Sequence, residues 1–399
     1  MLTRILVFVF LLLSVITIGQ VKVIQNQNSS IPQQEPTIHY DTIDILDDVP
    51  VNSGDESVKK KMKPASFDRA PESSEKVSIT KDQEVQKISY DFSRSKNMSV
   101  EQRVQRTPTQ SQQQSMDEAV QSLELTAPNS FEYHYYKFVS GNYDVSRVNH
   151  LDKAEKLRPN NTDVQIQKVA YHHIMKNDNE TKDYLYKLVE SKRLDEELKF
   201  YAEDLLLSVS RNGTLLTHGF DDTYSVLYTQ LKFNVRKDVR VISMDMLQSD
   251  EYRTQLMNEG YKLPKGRIVD INFIGEFISK NASKKISISL TAPKEYFMQI
   301  QGDLYLSGLA FEYHSQAYDN LPRNERLWTN KLKKYPVYNS SNDKMRNLSS
   351  NYLPMLLILF EYYKKTEELE KLEIIDEALT KVSVQCDKYE MVKKLKGNY

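Results

Sequence analysis

The run Leu216-Thr217-His218-Gly219-Phe220-Asp221-Asp222-Thr223 concentrates the groups in this chain best suited to chemistry: an imidazole, two adjacent carboxylates, hydroxyls and a glycine. Asp245 adds a third carboxylate further along. Grouped carboxylates can hold a divalent cation or accept hydrogen bonds from sugar hydroxyls. They repel phosphate, and the run lacks the lysine and glycine-rich cradle that nucleotide sites use. The candidate ligand-binding set is therefore His218, Gly219, Asp221, Asp222, Thr223 and Asp245. Each also has a plainer reading. Asp221 is a natural N-cap for the helix it would open, and Asp222 complements that helix's dipole. Gly219 supplies a backbone conformation that other residues avoid, and His218 is a hydrogen-bonded turn residue rather than a general base. No catalytic set, metal-ligand set or cofactor is implied.

The elements around these residues follow from pattern. Leu215-Leu216 reads as a short buried strand, and Tyr224, Leu227, Tyr228 and Leu231 form one helical stripe. Residues 238–243, with Val239, Val241 and Ile242, read as the next strand. About 20 residues separate the two strands, enough for a helical crossover and parallel pairing. The turn then lies at the carboxyl end of the first strand and Asp245 just past the second, where parallel sheets take ligands. Further strands are expected at 286–290, 304–306 and 309–313, and helices at 246–259, 268–279, 323–334, 353–364 and 367–382. The segment 352–363 is too short and amphipathic to span a membrane.

Upstream, residues 1–19 carry one positive charge, an apolar run and a small-x-small ending at Gly19, the pattern of a cleaved secretory signal. Residues 20–129 are rich in Ser, Gln, Asp, Lys, Glu and Pro. They read as a disordered low-complexity tether, with transient helix at 116–125. Within it, Lys59-Lys60-Lys61-Met62-Lys63 reads as a solvated charge cluster, and Ile43-Asp44-Ile45-Leu46 as a linear motif or plain linker. At Phe131 helical spacing begins. Helices are expected over 131–139, 148–157, 163–176, 182–192 and 196–210, and Pro159 ends the second of them. The ending Ala154…Leu157-x-Pro159-Asn160-Asn161 resembles a tetratricopeptide repeat, a helix–turn–helix of about 34 residues. Two such units are too few for a free-standing solenoid, so these helices must pack on something else. The expected organisation is signal at 1–19, tether at 20–129, tetratricopeptide-like helices at 130–210, α/β domain at 211–320 and C-terminal helices at 321–399. The fold class is α/β, with a small, mostly parallel, Rossmann-like sheet flanked by helical hairpins.

Composition narrows the function classes. The 399 residues carry 54 basic and 55 acidic side chains, a net charge of −1, with no basic stripe to engage nucleic acid. Cys386 is the only cysteine, so neither an intrachain disulfide nor a thiolate zinc site can form. It reads as a small buried residue of a C-terminal helix. His172-His173 lack the spacing of a helical metal pair, and Tyr133-His134-Tyr135-Tyr136 reads as helix packing ahead of carbohydrate stacking. Eight Asn-x-Ser/Thr sequons, among them Asn28, Asn212 and Asn347, matter only for a eukaryotic secreted glycoprotein.

A longer string carries a family resemblance. Leu216-Thr217-His218-Gly219-Phe220-Asp221-Asp222-Thr223-Tyr224, Tyr228-x-Gln230, Val235-Arg236-x-Asp238-Val239-Arg240-Val241-Ile242, and later Thr291-Ala292-Pro293 with Leu306-Ser307-Gly308-Leu309 recur in order. They resemble the soluble C-terminal region of a bacterial family of large polytopic membrane glycosyltransferase-like proteins, whose turn reads T-N-G-D-N-D-T-F. The resemblance covers residues 201–313. His218 and Phe220 replace that family's Asn and first Asp, and Asp221 replaces its second Asn. The resemblance implies the fold and an extracytoplasmic location, without the transferase activity of the membrane half. The function expected is an exported, non-enzymatic binding or scaffold protein of the periplasm, cell surface or envelope, with an envelope protein as partner and no membrane span in the mature chain. The alternative is a glycan-related binding or processing domain that uses the acidic turn.

Overall fold

A computed structural model describes residues 80–101, 105–339 and 342–397. The signal at 1–19, the lysine cluster and the Ile43–Leu46 motif lie outside the described residues, as does the expected tether up to residue 79.

From residue 80 to 129 the expectation of a disordered tether is corrected. Helix α1 spans Lys81–Glu101 and α2 spans Gln110–Thr126. The stretch that looks like low complexity is a helix start: Thr109 caps α2, and Thr109 and Gln112 form a reciprocal capping box. Each helix carries one sparse apolar stripe, Val85, Ile88 and Phe92 on α1 and Met116, Ala119, Val120 and Leu123 on α2. Few apolar residues suffice because the partners are aromatic. Phe92 stacks on Tyr136 at 4.2 Å between ring centroids.

The following helices match expectation closely: α3 (Phe131–Val139), α4 (Val148–Leu157), α5 (Thr162–Ile174), α6 (Asp178–Glu190) and α7 (Leu198–Ser208). They pack as successive hairpins, α1 on α2, α3 on α4 and α5 on α6, with α2 meeting α3 and α4 meeting α5. The first two hairpins share a core of their own, built from Phe92, Met116, Leu123, Tyr135, Phe138 and Leu151 and joined by Val164 of α5. The Tyr133–Tyr136 run is buried in it. From Ile166 of α5 onward most buried apolar side chains belong to a second, larger core around the sheet.

That sheet has five strands in the order β2-β1-β3-β5-β4: β1 (Thr214–Thr217), β2 (Arg240–Ser243), β3 (Ile286–Ser289), β4 (Leu304–Ser307) and β5 (Ala310–Tyr313). β1 pairs in parallel with β2 and β3, whereas β5 runs antiparallel to both β3 and β4. The sheet is thus mixed rather than mostly parallel. Gly308 turns β4 into β5 with φ +60°, and its amide donates to Asn324. A β-carbon there would collide with Ser208, so the hairpin needs glycine.

Helix α8 (Gly219–Phe233) crosses from β1 to β2 and packs on α6, α7 and β2. After β2 come α9 (Asp250–Asn258), α10 (Ile271–Lys280) and the short α11 (Glu295–Met298). After β5 follow α12 (Leu321–Arg326), a π-turn at Leu327–Lys331, α13 (Tyr335–Tyr338), α14 (Asp343–Ser349), α15 (Leu353–Thr366), α16 (Leu369–Gln385) and α17 (Tyr389–Gly397). α15 is not amphipathic: residues 353–360 are buried on every side, against β4, α12 and α16. Helices apolar all round belong in a core. Among the described residues no helix is long and apolar enough to cross a membrane.

Candidate functional site

Three parallel strands end together, and the candidate residues gather at their carboxyl ends. Helix α8 opens at Gly219, earlier than an Asp221 cap would require, and His218 stands at the cap position without a side-chain cap bond. Gly219 has φ +74°, a left-handed conformation that L side chains rarely adopt. The expected capping role of Asp221 is therefore corrected. Its carboxylate instead pairs with Lys344 of α14 at 2.9 Å, with both side chains more than a third exposed or nearly so.

Asp222 turns inward. Its Oδ2 accepts the His218 amide at 3.0 Å and its Oδ1 accepts the Ser289 hydroxyl at 3.0 Å. Thr291, joined to Ser289 at 2.8 Å, adds a further hydrogen bond to the same carboxyl. Burial pushes the Asp222 carboxyl up to about 6, although all three hydrogen bonds pull it down. The Thr223 hydroxyl is buried against Thr217 at 2.9 Å and near Ser243, pinning α8 to β1 and β2.

Asp245 faces the other side of β1. Its Oδ2 accepts the Gly219 amide at 3.0 Å, and its Oδ1 receives both Nε and Nη2 of Arg106. The third guanidinium nitrogen, Nη1, lies 2.9 Å from Nε2 of His218. Since arginine can only donate, that imidazole nitrogen accepts and the ring is neutral. Burial, then the charge of Arg106, hold His218 down at about 3, against the pull of Asp245. Burial raises the Asp245 carboxyl, but Arg106, His218 and the Gly219 amide outweigh it and leave it below the usual carboxylate range. The Arg106 and Asp245 side chains are only 8% and 14% exposed.

Arg106 arrives on the connection between α1 and α2. Gln105 bridges to Asp270 in antiparallel fashion, and the Arg106 amide donates to Val269 at 2.7 Å. The Val269 amide donates in turn to the Thr107 hydroxyl at 2.9 Å. Arg253, buried beneath, holds the receiving edge by donating to the carbonyls of Leu247, Gly266 and Arg267. Tyr296 of α11 closes the wall 6.3 Å from the His218 ring centre. It is fully buried, and its hydroxyl has no hydrogen-bond partner among the described residues. Burial leads the effects that raise this phenol. Burial also draws the Lys96 ammonium of α1 down to about 8, opposed by Asp163 and Asp245.

The three acids thus share one region of the fold but take separate partners. Among the described residues no group of three or more His, Cys, Asp or Glu is placed to hold a metal ion. His172 and His173 stay apart in role: His173 is half-buried near Tyr252, and His172 stacks on Tyr184. Arg106 and Lys96 escape sequence reading because they fall in the stretch read as tether. The Thr109-x-x-Gln112 capping box beside Arg106 is the signal that marks order there. Ser289 and Thr291 end a strand already expected, and the strand-end rule points to them.

Residues 198–361 match the family model described as TMEM260-associated domain 2. The match fits a TMEM260-like, glycosyltransferase-related family and contains every candidate residue from His218 to Asp245, together with Tyr296. Arg106 and the hairpins α1–α6 lie before it. Neither a curated protein nor a solved structure matches the chain.

Proposed function

We propose that this chain is an exported, non-enzymatic binding or scaffold protein of the cell envelope. The observation that carries this reading is the state of the strand ends, where an α/β enzyme keeps its reactive groups. Asp245 is neutralised by Arg106, Asp222 is tied to Ser289 and Thr291, and Asp221 is paired with Lys344. The consecutive hairpins α1–α6 suit a tetratricopeptide-like docking array ahead of a Rossmann-like module, and the residue pattern at 1–19 supports export. Cross-linking in intact envelopes, followed by purification of the chain, is expected to recover a defined protein partner. Turnover of an activated sugar by the purified chain alone, with no partner recovered, is the result that sinks this reading.

A second reading, a glycan-related binding or processing domain, is favoured by the family match and by the buried hydroxyl of Tyr296, which has no hydrogen-bond partner among the described residues. Calorimetric titration with mono- and oligosaccharides tests it. Binding that survives Asp222→Ala unchanged counts against an acidic glycan site.

A further inference from the structure

We propose that the groups at the ends of β1 and β2 form a guanidinium-recognition site whose ligand is a peptide segment carrying arginine. The chain's own residues 105–107 occupy it in cis. This deepens the binding reading by naming a ligand class.

Three features support recognition rather than incidental pairing. All three guanidinium nitrogens are used, two on Asp245 and one on His218. An ammonium cannot reproduce that fork, so the geometry discriminates arginine from lysine. The receiving groups are preorganised from within residues 198–361: the Gly219 amide fixes Asp245, and His218 presents its unprotonated Nε2. The backbone also takes part. Residues 105–107 join residues 267–270 by one isolated β-bridge, an amide–carbonyl bond and a threonine clasp. The receiving edge is independently braced by Arg253. Occupant and receiver are far apart in sequence, and the occupant lies outside the matched family region while the receiver lies inside it.

A cis occupant can be replaced by a trans one, and its release raises the fraction of open site. Arg106→Ala in the full chain is expected to melt lower than the parent. Millimolar ethylguanidinium then restores melting temperature saturably, and ethylammonium does not. Adding Asp245→Asn abolishes the rescue, and the parent chain does not respond. No rescue, equal rescue by ethylammonium, or rescue that persists with Asp245→Asn overturns the proposal.

Should Arg106→Ala fail to fold, Thr107→Ala keeps the ion pair while loosening the clasp. A fluorescent peptide with the sequence of residues 105–109 is expected to bind Thr107→Ala roughly tenfold tighter than the parent, the effect of losing about one hydrogen bond. The same peptide with arginine changed to lysine binds neither chain. Absence of peptide binding to both chains, or equal binding of the lysine peptide, also overturns the proposal. These measurements need no envelope partner, so their failure is distinct from failure of the scaffold reading.

Discussion

Asp222 and Asp245 sit on opposite sides of β1 and are handled in opposite ways. Asp222 is met only by neutral donors, so burial wins and its proton is held too tightly. Asp245 is met by a guanidinium, so the charge wins and its proton is held too loosely. Both accept a backbone amide. The decisive difference is one cation, Arg106, brought from a part of the chain remote in sequence. Burial alone therefore does not set a carboxylate's chemistry in this fold; the identity of the group facing it does.

The largest test breaks the charged side. Asp245→Ala strands Arg106 in a place where it is 8% exposed, and removing one member of a buried pair costs about 3–5 kcal/mol. Urea denaturation should show that loss. A cost under about 1 kcal/mol, the range of exposed pairs, removes the contrast.

The next test concerns the neutral side. The folded carboxyl of Asp222 titrates near 6, above its ordinary 3.8. Between those values the folded state keeps a proton that the unfolded state has released, so this group's contribution falls as pH rises through the window. The total is about 3 kcal/mol at about 1.4 kcal/mol per unit. His218 opposes it: held near 3 when folded against 6.5 when free, it costs stability as pH falls below 6.5. The parent chain mixes both effects. The difference between Asp222→Asn and the parent isolates the acid and should grow in favour of the variant from pH 4 to pH 7. A difference flat in pH places Asp222 with Asp245. The contribution of Asp245 itself is lost only as pH falls below the usual carboxylate range, because its folded value is lowered.

Smaller effects sharpen the geometry between the two acids. Gly219→Ala forces a side chain into φ +74° and should cost about 1–2 kcal/mol in thermal denaturation. Lys344→Ala removes the partner of Asp221, a pair largely open to solvent. Its expected cost is below about 1 kcal/mol and shrinks with added salt.

Much of this comparison was legible in residues. The βαβ unit, the strand ends and the approach of Asp245 to the turn follow from short apolar runs and one clear helical stripe. The antiparallel half of the sheet was hidden because four-residue buried strands carry no alternation to reveal direction. The capping assignment failed at Gly219, which opens α8 from a left-handed conformation that no pattern announces. Above all, α1 and α2 look disordered because Phe92, Met116 and Leu123 are sparse among polar residues. Their order depends on the aromatic residues of α3, which composition averaged along the chain cannot weigh. A reading of residues 20–129 as tether excludes Arg106, and the acids of the turn then read as unopposed.

The link between Arg106 and Asp245 joins positions 139 residues apart. Synthesis proceeds from the N-terminus, so Arg106 leaves the ribosome long before its carboxylate exists. The first hairpins can form their own small core early, since that core lies between Phe92 and Val164. The edge at 267–270 that clasps Arg106 is made later still. Docking of residues 105–107 must therefore follow assembly of the sheet, a late step dominated by non-local contact. Until then the nascent chain carries an unneutralised cation at its front and an open strand end behind it.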